Sequence, residues 1–403
     1  MYGNMCVVYT TGIWLLVASY FELPVSTTHS TIGGMVGMAM TYRGADCIIW
    51  HQETDIFPYA KGMSVIVSFW VLSPVLAGIV ATGMFFAMRA VVLRSENSLE
   101  RAYVAFPLLV TSTIALNVFF IVYHGPKSLG LNEVCLATSF ACSFGLGVGV
   151  GALMIPTVMP YVRKTVEAKF NEDGTLKPVF AVDACEEAKG VARFMQLNQH
   201  FHLHCKHSEY VNKIHANAER FDPRTEEAFK YVQVFTAICD SFSHGANDVA
   251  NAMGPFAGIY IVYTTGQADL GKDLGDGIFW VLTVGGAGMV AGLALYGYKI
   301  IAAIGVKIAK ITPSRGFAIE LGSAIIILSG TRLQIPLSTT HCQVGATTGV
   351  ALLEGVGGVN STVMGKTVFG WIATIIICAI ACSLLFAQGA YAPFAFDTID
   401  LAS

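Results

Sequence analysis

Two tetrapeptides of this chain are identical. Ser26-Thr27-Thr28-His29 and Ser338-Thr339-Thr340-His341 each follow a proline by two positions, in the segments ELPVSTTHSTIG (Glu22 to Gly33) and QIPLSTTHCQVG (Gln334 to Gly345). A proline ends one segment in extended geometry, and a serine after it supplies the N-cap of the next helix. The free N–H groups and positive dipole end of such a helix attract an anion, and three hydroxyl donors extend that receptor. A third cluster, GANDVAN from Gly245 to Asn251, holds the hard oxygens of Asn247, Asp248 and Asn251, which suit a small cation. Asn247 and Asn251 lie one helical turn apart on one face, and Gly245 is expected to let the backbone open beside them. An acid alone repels an oxyanion, whereas an acid holding a cation does not.

These residues admit blander uses. A lone Ser or Thr in an apolar helix commonly bonds back to the carbonyl a turn earlier. His29 and His341 could shuttle protons or could shape the turn by hydrogen bonding. Glu320 stands in an apolar run between Arg315 and Arg332, as a coupling-ion residue or as the partner of Arg332. Asp240 is expected only to face the mouth of the site. A hydrolase reading would make Ser26 or Ser338 a nucleophile with a histidine and Asp248, but no GxSxG elbow occurs and the hydroxyls are tripled where one would serve.

The elements that position these groups must lie in a membrane. Of the 403 residues 54% are hydrophobic and 13% charged, with a mean hydropathy of +0.60. A helix needs roughly 20 apolar residues to cross a hydrocarbon core. Gly62 to Met88, Ala102 to Tyr123, Val134 to Val162, Ile278 to Tyr298 and Thr367 to Phe394 contain no Asp, Glu, Lys or Arg, so the chain is expected to be an all-α polytopic membrane protein. A net charge of −3 argues against a nucleic-acid partner. The ten cysteines form no CxxC pair and read as packing residues. Met1 to Phe21 reads as part of the membrane body and not as a cleaved signal peptide.

Orientation follows from the basic residues. Arg89, Arg94 and Arg101, then Arg163 and Lys164, then Lys299, Lys307, Lys310 and Arg315 mark three cytosolic regions by the positive-inside tendency. One further crossing must lie between Lys230 and Thr265, and because it carries Asp240 and Asp248 the helix is expected to be broken there. Arg163 to Lys230 holds 11 basic and 11 acidic side chains and divides the chain into a first membrane repeat (1–162), a polar cytosolic linker (163–226) and a second repeat (227–403). Within the linker, His200, His202, His204, Cys205 and His207 could bind a transition metal or form a merely His-rich loop. Gly145 to Gly151 and the pair Gly288 and Gly292 are expected to make close helix contacts.

Leu23 to Ala39 and Ile335 to Ala351 share eight identities in 17 positions at a constant offset of 312. Two copies of a Pro-interrupted polar element in corresponding halves point to a transporter site at the bilayer midplane.

GANDVANAMGP from Gly245 to Pro255 and the two copies of P-V/L-STTH resemble the signature motifs of the inorganic phosphate transporter family, the sodium- or proton-coupled phosphate permeases. The resemblance implies an inverted-repeat fold with discontinuous helices, often a dimer, with phosphate and sodium bound between the halves. It implies that Ser26, Thr27, Thr28, Ser338, Thr339, Thr340 and Asn247 bind phosphate. It places the coupling cation on Asp248, Asn247, Asn251 and Glu320, Glu320 lying in PSRGFAIELGSA. Na⁺ or H⁺ would be the coupling ion, with no other cofactor, in a cell-surface membrane by preference. His29, His341 and Gly245 are left as gating or structural residues. A phosphate sensor or an anion channel on the same fold stays open. Family members carry GANDVAN in each half, and the spacing from Gly245 to Ser338 puts the other copy about 67 residues before Met1, so the chain is expected to be short at its N-terminus with its first repeat incomplete.

Overall fold

The computed structural model describes residues 1–403 except 56, 124–129, 132, 172–173, 178–208, 267–278 and 392–403. Its helices are α1 (Tyr2–Tyr20), α2 (Thr27–Arg43), α3 (Met63–Met88), α4 (Ser98–Val122), α5 (Leu136–Thr157), α6 (Met159–Lys169), α7 (Glu209–Asn217), α8 (Pro223–Thr265), α9 (Phe279–Gly292), α10 (Tyr298–Ala302), α11 (Pro313–Arg332), α12 (Thr339–Leu352) and α13 (Ser361–Tyr391). A two-stranded antiparallel ribbon, β1 (Gln52–Glu53) and β2 (Ala60–Lys61), joins α2 to α3. The chain is a multi-pass membrane protein. Five helical spans are long and apolar enough to cross a bilayer: Met63–Leu93, Ser98–Val122, Leu136–Thr157, Phe279–Gly297 and Ser361–Tyr391. They coincide with the five charge-free stretches. The fourth ends in a π-helical turn at Leu293–Gly297, and Ala303–Ile308 is another.

The duplicated segments build two helical hairpins of the same construction. In the first, α1 ends with Glu22 in the left-handed region (φ 58°), Glu22 N–H donating to Ser19 O at 3.2 Å and Leu23 N–H to Ala18 O at 2.9 Å. In the second, Gln334 has φ 55°, its N–H donates to Thr331 O at 3.2 Å, and Ile335 N–H donates to Gly330 O at 2.9 Å. This pattern satisfies the last carbonyls of a helix and turns the chain sharply. Proline then holds the chain extended, and Ser26 and Ser338 cap α2 and α12, each accepting from the N–H of the histidine three residues on. At 1.5 Å per residue α2 and α12 extend about 26 and 21 Å, short of the roughly 30 Å hydrocarbon core. Neither is long enough to span it alone.

Packing interleaves the two copies. α2 lies against α13 and α12 lies against α3, so each hairpin's second helix rests on the third helix of the other copy. The repeated glycines explain why. A Cβ added at Gly33 or Gly37 would collide with the backbone of Ile375 or Ala379, and one at Gly345 or Gly349 with the backbone of Pro74 or Gly78. Only glycine allows helix axes to approach so closely. The largest apolar core joins α3, α4, α6, α8, α11 and α12, while α1 and α13 share a separate small one around Cys6, Val7, Cys382 and Phe386. Gly147 and Gly151 pack against Thr111 and Pro107 of α4, whereas no described residue approaches Gly288 or Gly292, whose expected contact is not made.

One expectation is overturned. α8 runs without a break for 43 residues through GANDVAN and past Pro255. A buried polar cluster need not open the helix if neighbours satisfy its side chains, and they do. Gly245 accordingly opens nothing, and among the described residues none lies within 4 Å of a Cβ placed there.

Two of the three basic regions meet around Glu219 and Glu354. Glu219 takes a two-point bond from Arg94 (2.9 and 3.0 Å), and Glu354 takes one from the buried Arg315 at 2.7 Å. Arg89 lies 3.5 Å from Glu219 and 3.8 Å from Glu354. The Arg94 hydrogen bond holds the Glu219 carboxyl below the usual carboxylate range, against a smaller desolvating effect of burial. The His-rich stretch from His200 to His207 lies outside the described residues.

Candidate functional site

The two hairpin tips meet each other and meet α8. Thr28 donates its hydroxyl to the carbonyl of Leu337 at 3.1 Å, and Thr340 donates to the carbonyl of Val25 at 3.3 Å. Thr28 matches Thr340 and Val25 matches Leu337 in the repeat, so the two bonds are one contact made twice, as about a local two-fold axis. The aromatic surroundings follow the same relation. His29 lies 4.4 Å from His341 between ring centroids; Trp70 lies 4.0 Å from His29 and Trp371 stacks on His341 at 3.5 Å. The symmetry is imperfect, because Trp371 also donates to the carbonyl of Pro24 at 3.0 Å while the Trp70 indole N–H has no acceptor.

α8 brings its acid to this junction. Asp248 receives Thr339 on Oδ2 at 2.8 Å, Thr27 on Oδ1 at 3.4 Å and the Asn247 amide on Oδ1 at 3.2 Å. Asn247 also reaches the carbonyl of Leu337 at 3.4 Å, and Asn251 donates to the hydroxyl of Thr28 at 3.1 Å. The structure thus unites Ser26, Thr27, Thr28, Ser338, Thr339, Thr340, Asn247, Asp248 and Asn251, drawn from three separate parts of the chain. Among the described residues no lysine or arginine pairs with Asp248. Its hydrogen-bond partners, Thr339, Thr27 and Asn247, are neutral donors.

The six hydroxyls have three different duties. Ser26 and Ser338 cap their helices, Thr28 and Thr340 tie the tips together, and Thr27 and Thr339 face the carboxylate. Within the first turns of α2 and α12 the serine caps take the His29 and His341 N–H groups, while those of Thr27, Thr28, Thr339 and Thr340 have no i−4 acceptor within their own helix. The histidines divide. His341 Nδ1 is bonded to the Ser338 hydroxyl at 2.7 Å and so stiffens its own cap, while His29 makes no such bond to Ser26 through its ring.

Glu320 is placed apart from the junction. It accepts from Thr236 at 2.6 Å and from Gln233 at 3.2 Å, both on α8. Pairing with Arg332 is excluded, because that guanidinium reaches the carbonyls of Phe120 and Ile121 at the end of α4. Asp240, expected at an open mouth, is 7% exposed and stands 3.5 Å from His244. The signal for this second cluster was present in sequence as a spacing of four: Thr236, Asp240, His244 and Asp248 form one stripe along α8. Trp70 and Trp371 carried no such signal, since they belong to apolar spans.

A family model of the phosphate transporter family matches residues 1–382. The chain belongs to the phosphate transporter family. That family is one of permeases and not of enzymes, which removes the hydrolase reading. Its members include relatives from distant organisms. The chain is 31% identical over 367 residues to the chloroplastic inorganic phosphate transporter 2-1 of Arabidopsis thaliana, an alignment covering 90% of this chain and 54% of that one. It is 26% identical over 493 residues to the phosphate-repressible phosphate permease of Neurospora crassa, covering 94% and 82% of the two chains. Among solved structures, a sodium-dependent phosphate transporter superposes with a TM-score of 0.71 at 28% identity, over 99% of this chain and 80% of that one. The chain therefore shares the helical arrangement of that transporter.

Proposed function

We propose that the chain is a secondary symporter of inorganic phosphate driven by Na⁺ or H⁺, working by alternating access around the junction of α2, α8 and α12. The observation that carries this reading is the meeting of both STTH tips at Asp248. Hydroxyls and two helix N-termini suit the oxygens of phosphate, and the carboxylate with Asn247 and Asn251 suits the coupling cation that offsets its charge. Cation binding comes first. It releases Thr27 and Thr339 from Asp248, and these donors then turn to the oxyanion.

The two-fold relation of the hairpins favours an inverted repeat, and the moving bodies are not the two halves of the sequence. The α1, α2 and α13 group has its own small core and meets the larger body at the STTH tips, so rocking is proposed between those two bodies. The end carrying Arg89, Arg94 and Arg315 is proposed to be cytosolic.

The test is phosphate uptake into proteoliposomes holding the purified chain. A symporter concentrates phosphate only with an inward sodium or proton gradient. Uptake that follows voltage alone would mean a channel, and phosphate binding without uptake would mean a sensor.

A further inference from the structure

A groove of about 710 Å³, the size of a ligand pocket, lies between α3 and α12. Its walls run from Pro74 to Phe86 on α3 and from Val344 to Leu353 on α12, and Met364 and Trp371 of α13 close it. Small residues create the space. Gly345 lies against Pro74 and Gly349 against Gly78, so the two helices cross closely, and a Cβ added at Gly83 on the groove wall would meet nothing within 4 Å. Ile79 and Phe86 are 64% and 57% exposed, so the groove opens sideways onto whatever surrounds α3.

That surrounding is lipid, because α3 belongs to the apolar span Met63–Leu93. Pro74 stands near the middle of this span and Phe86 near its Leu93 end. The groove therefore follows about 18 Å of helix through one leaflet of a hydrocarbon core roughly 30 Å thick. No water lies at that depth to fill it. No charged side chain lines it, and the Thr348 hydroxyl is already bonded to the carbonyl of Val344 at 2.7 Å. A hydrocarbon chain suits such walls.

The two ends of the groove differ. At the Leu353 end Arg89 donates to the carbonyl of Leu353 at 3.4 Å, and the guanidiniums of Arg89, Arg94 and Arg315 face only the two carboxylates of Glu219 and Glu354. One positive charge is left over, which complements the phosphate of a lipid headgroup. At the deep end Trp371 stacks on His341 and donates to the carbonyl of Pro24, so a single indole touches the groove and both hairpin tips.

We propose that this groove binds one acyl chain of an anionic phospholipid, with the headgroup beside Arg89 and the chain reaching to Trp371. Through that indole the bound lipid bears on the junction of the tips. Its effect on transport rests on the symport reading, whereas the binding does not.

Photolabelling of the full-length chain in phosphatidylcholine vesicles tests the site. The probe is a trace of phosphatidylglycerol carrying a diazirine near the end of one acyl chain, and mass spectrometry of the digested protein locates the label. Label is expected on Thr348 and Trp371, and it should be lost when unlabelled phosphatidylglycerol replaces part of the phosphatidylcholine. Label on Phe144, 57% exposed on α5, reports ordinary lipid contact and should be kept. Gly83→Phe fills the groove and should lose the Thr348 and Trp371 label; Gly83→Leu is a smaller second variant, and size-exclusion elution checks that each folds. Gly149→Phe, at an equally open position on α5, should leave the groove label unchanged. The proposal is overturned if the groove label is as indifferent to unlabelled phosphatidylglycerol as that on Phe144, or if it survives in a folded Gly83 variant. It is also overturned if the wild-type groove takes no label and Gly83→Phe converts a dimer to a monomer, because a second copy would then fill the groove. Labelling reads binding alone, so failure of phosphate uptake would count against the symport reading and leave these results to stand.

Discussion

The hydroxyl of Thr339 donates to the carboxylate of Asp248 at 2.8 Å across 91 positions of sequence. That bond joins the serine-capped turn of one hairpin to the acid of the long helix, so on the proposed reading the cation and anion sites share a donor, Thr339. Emptying or filling one must change the other.

Asp248→Asn is expected to abolish gradient-driven phosphate uptake while leaving the protein folded, because the amide keeps the shape but not the charge that holds a cation. Phosphate uptake against sodium and proton concentration in proteoliposomes checks this; unchanged ion dependence would remove Asp248 from the cation site. Ser338 and Thr339 replaced together by Ala should weaken phosphate binding by roughly 10- to 100-fold, the worth of a lost bond to a charged group. Cation affinity should change less.

Thr28→Val and Thr340→Val each remove one of the two reciprocal ties between the tips. Each should destabilise the protein by about 1 kcal/mol, the net worth of a neutral hydrogen bond, and to a similar extent because the contacts are equivalent. Thermal unfolding in detergent measures the two side by side.

Gly345→Ala places a methyl group against the backbone of Pro74, and Gly37→Ala one against Ala379. Separation of the helices should cost about 1–3 kcal/mol in either case. Gly245→Ala meets nothing and sits within an unbroken helix, so it should be neutral or stabilising by up to about 1 kcal/mol. Loss of uptake in Gly245→Ala would show that α8 does open there during the cycle.

The charged end of the molecule separates buried from exposed pairs. Glu354→Gln leaves the nearly inaccessible Arg315 uncompensated and should cost about 3–5 kcal/mol, whereas Arg94→Ala, about half exposed, should cost no more than about 1 kcal/mol. Acidification should weaken the same end. The Glu219 carboxyl is lowered in the folded state, so its stabilising contribution is present above the ordinary carboxylate range and is lost as pH falls through that range toward the folded value. Unfolding temperatures measured across mildly to strongly acidic pH should therefore fall less in Arg94→Ala than in the wild type.

Much of this was legible without coordinates. The charge-free runs marked five spans, because a bilayer of fixed thickness imposes a length and forbids charge. The two STTH copies located two breaks, because proline and a capping serine act within a few residues of themselves. Local rules also misled at α8, where Asp240 and Asp248 suggested a broken helix. Whether a buried polar side chain forces a break depends on the donors that reach it, and those came from residues 221 and 91 positions away.

Sequence by itself therefore determined that the chain is helical, crosses a membrane several times and repeats a serine-capped turn, since periodicity, length and capping are properties of neighbouring residues. Tertiary structure alone decided that the two turns face each other, that each hairpin's second helix rests on the third helix of the opposite copy, and that Glu320 joins Thr236 and Gln233 and not Arg332. Those outcomes depend on which surfaces fit, and the fit turns on glycines whose missing side chains matter only once another helix lies against them.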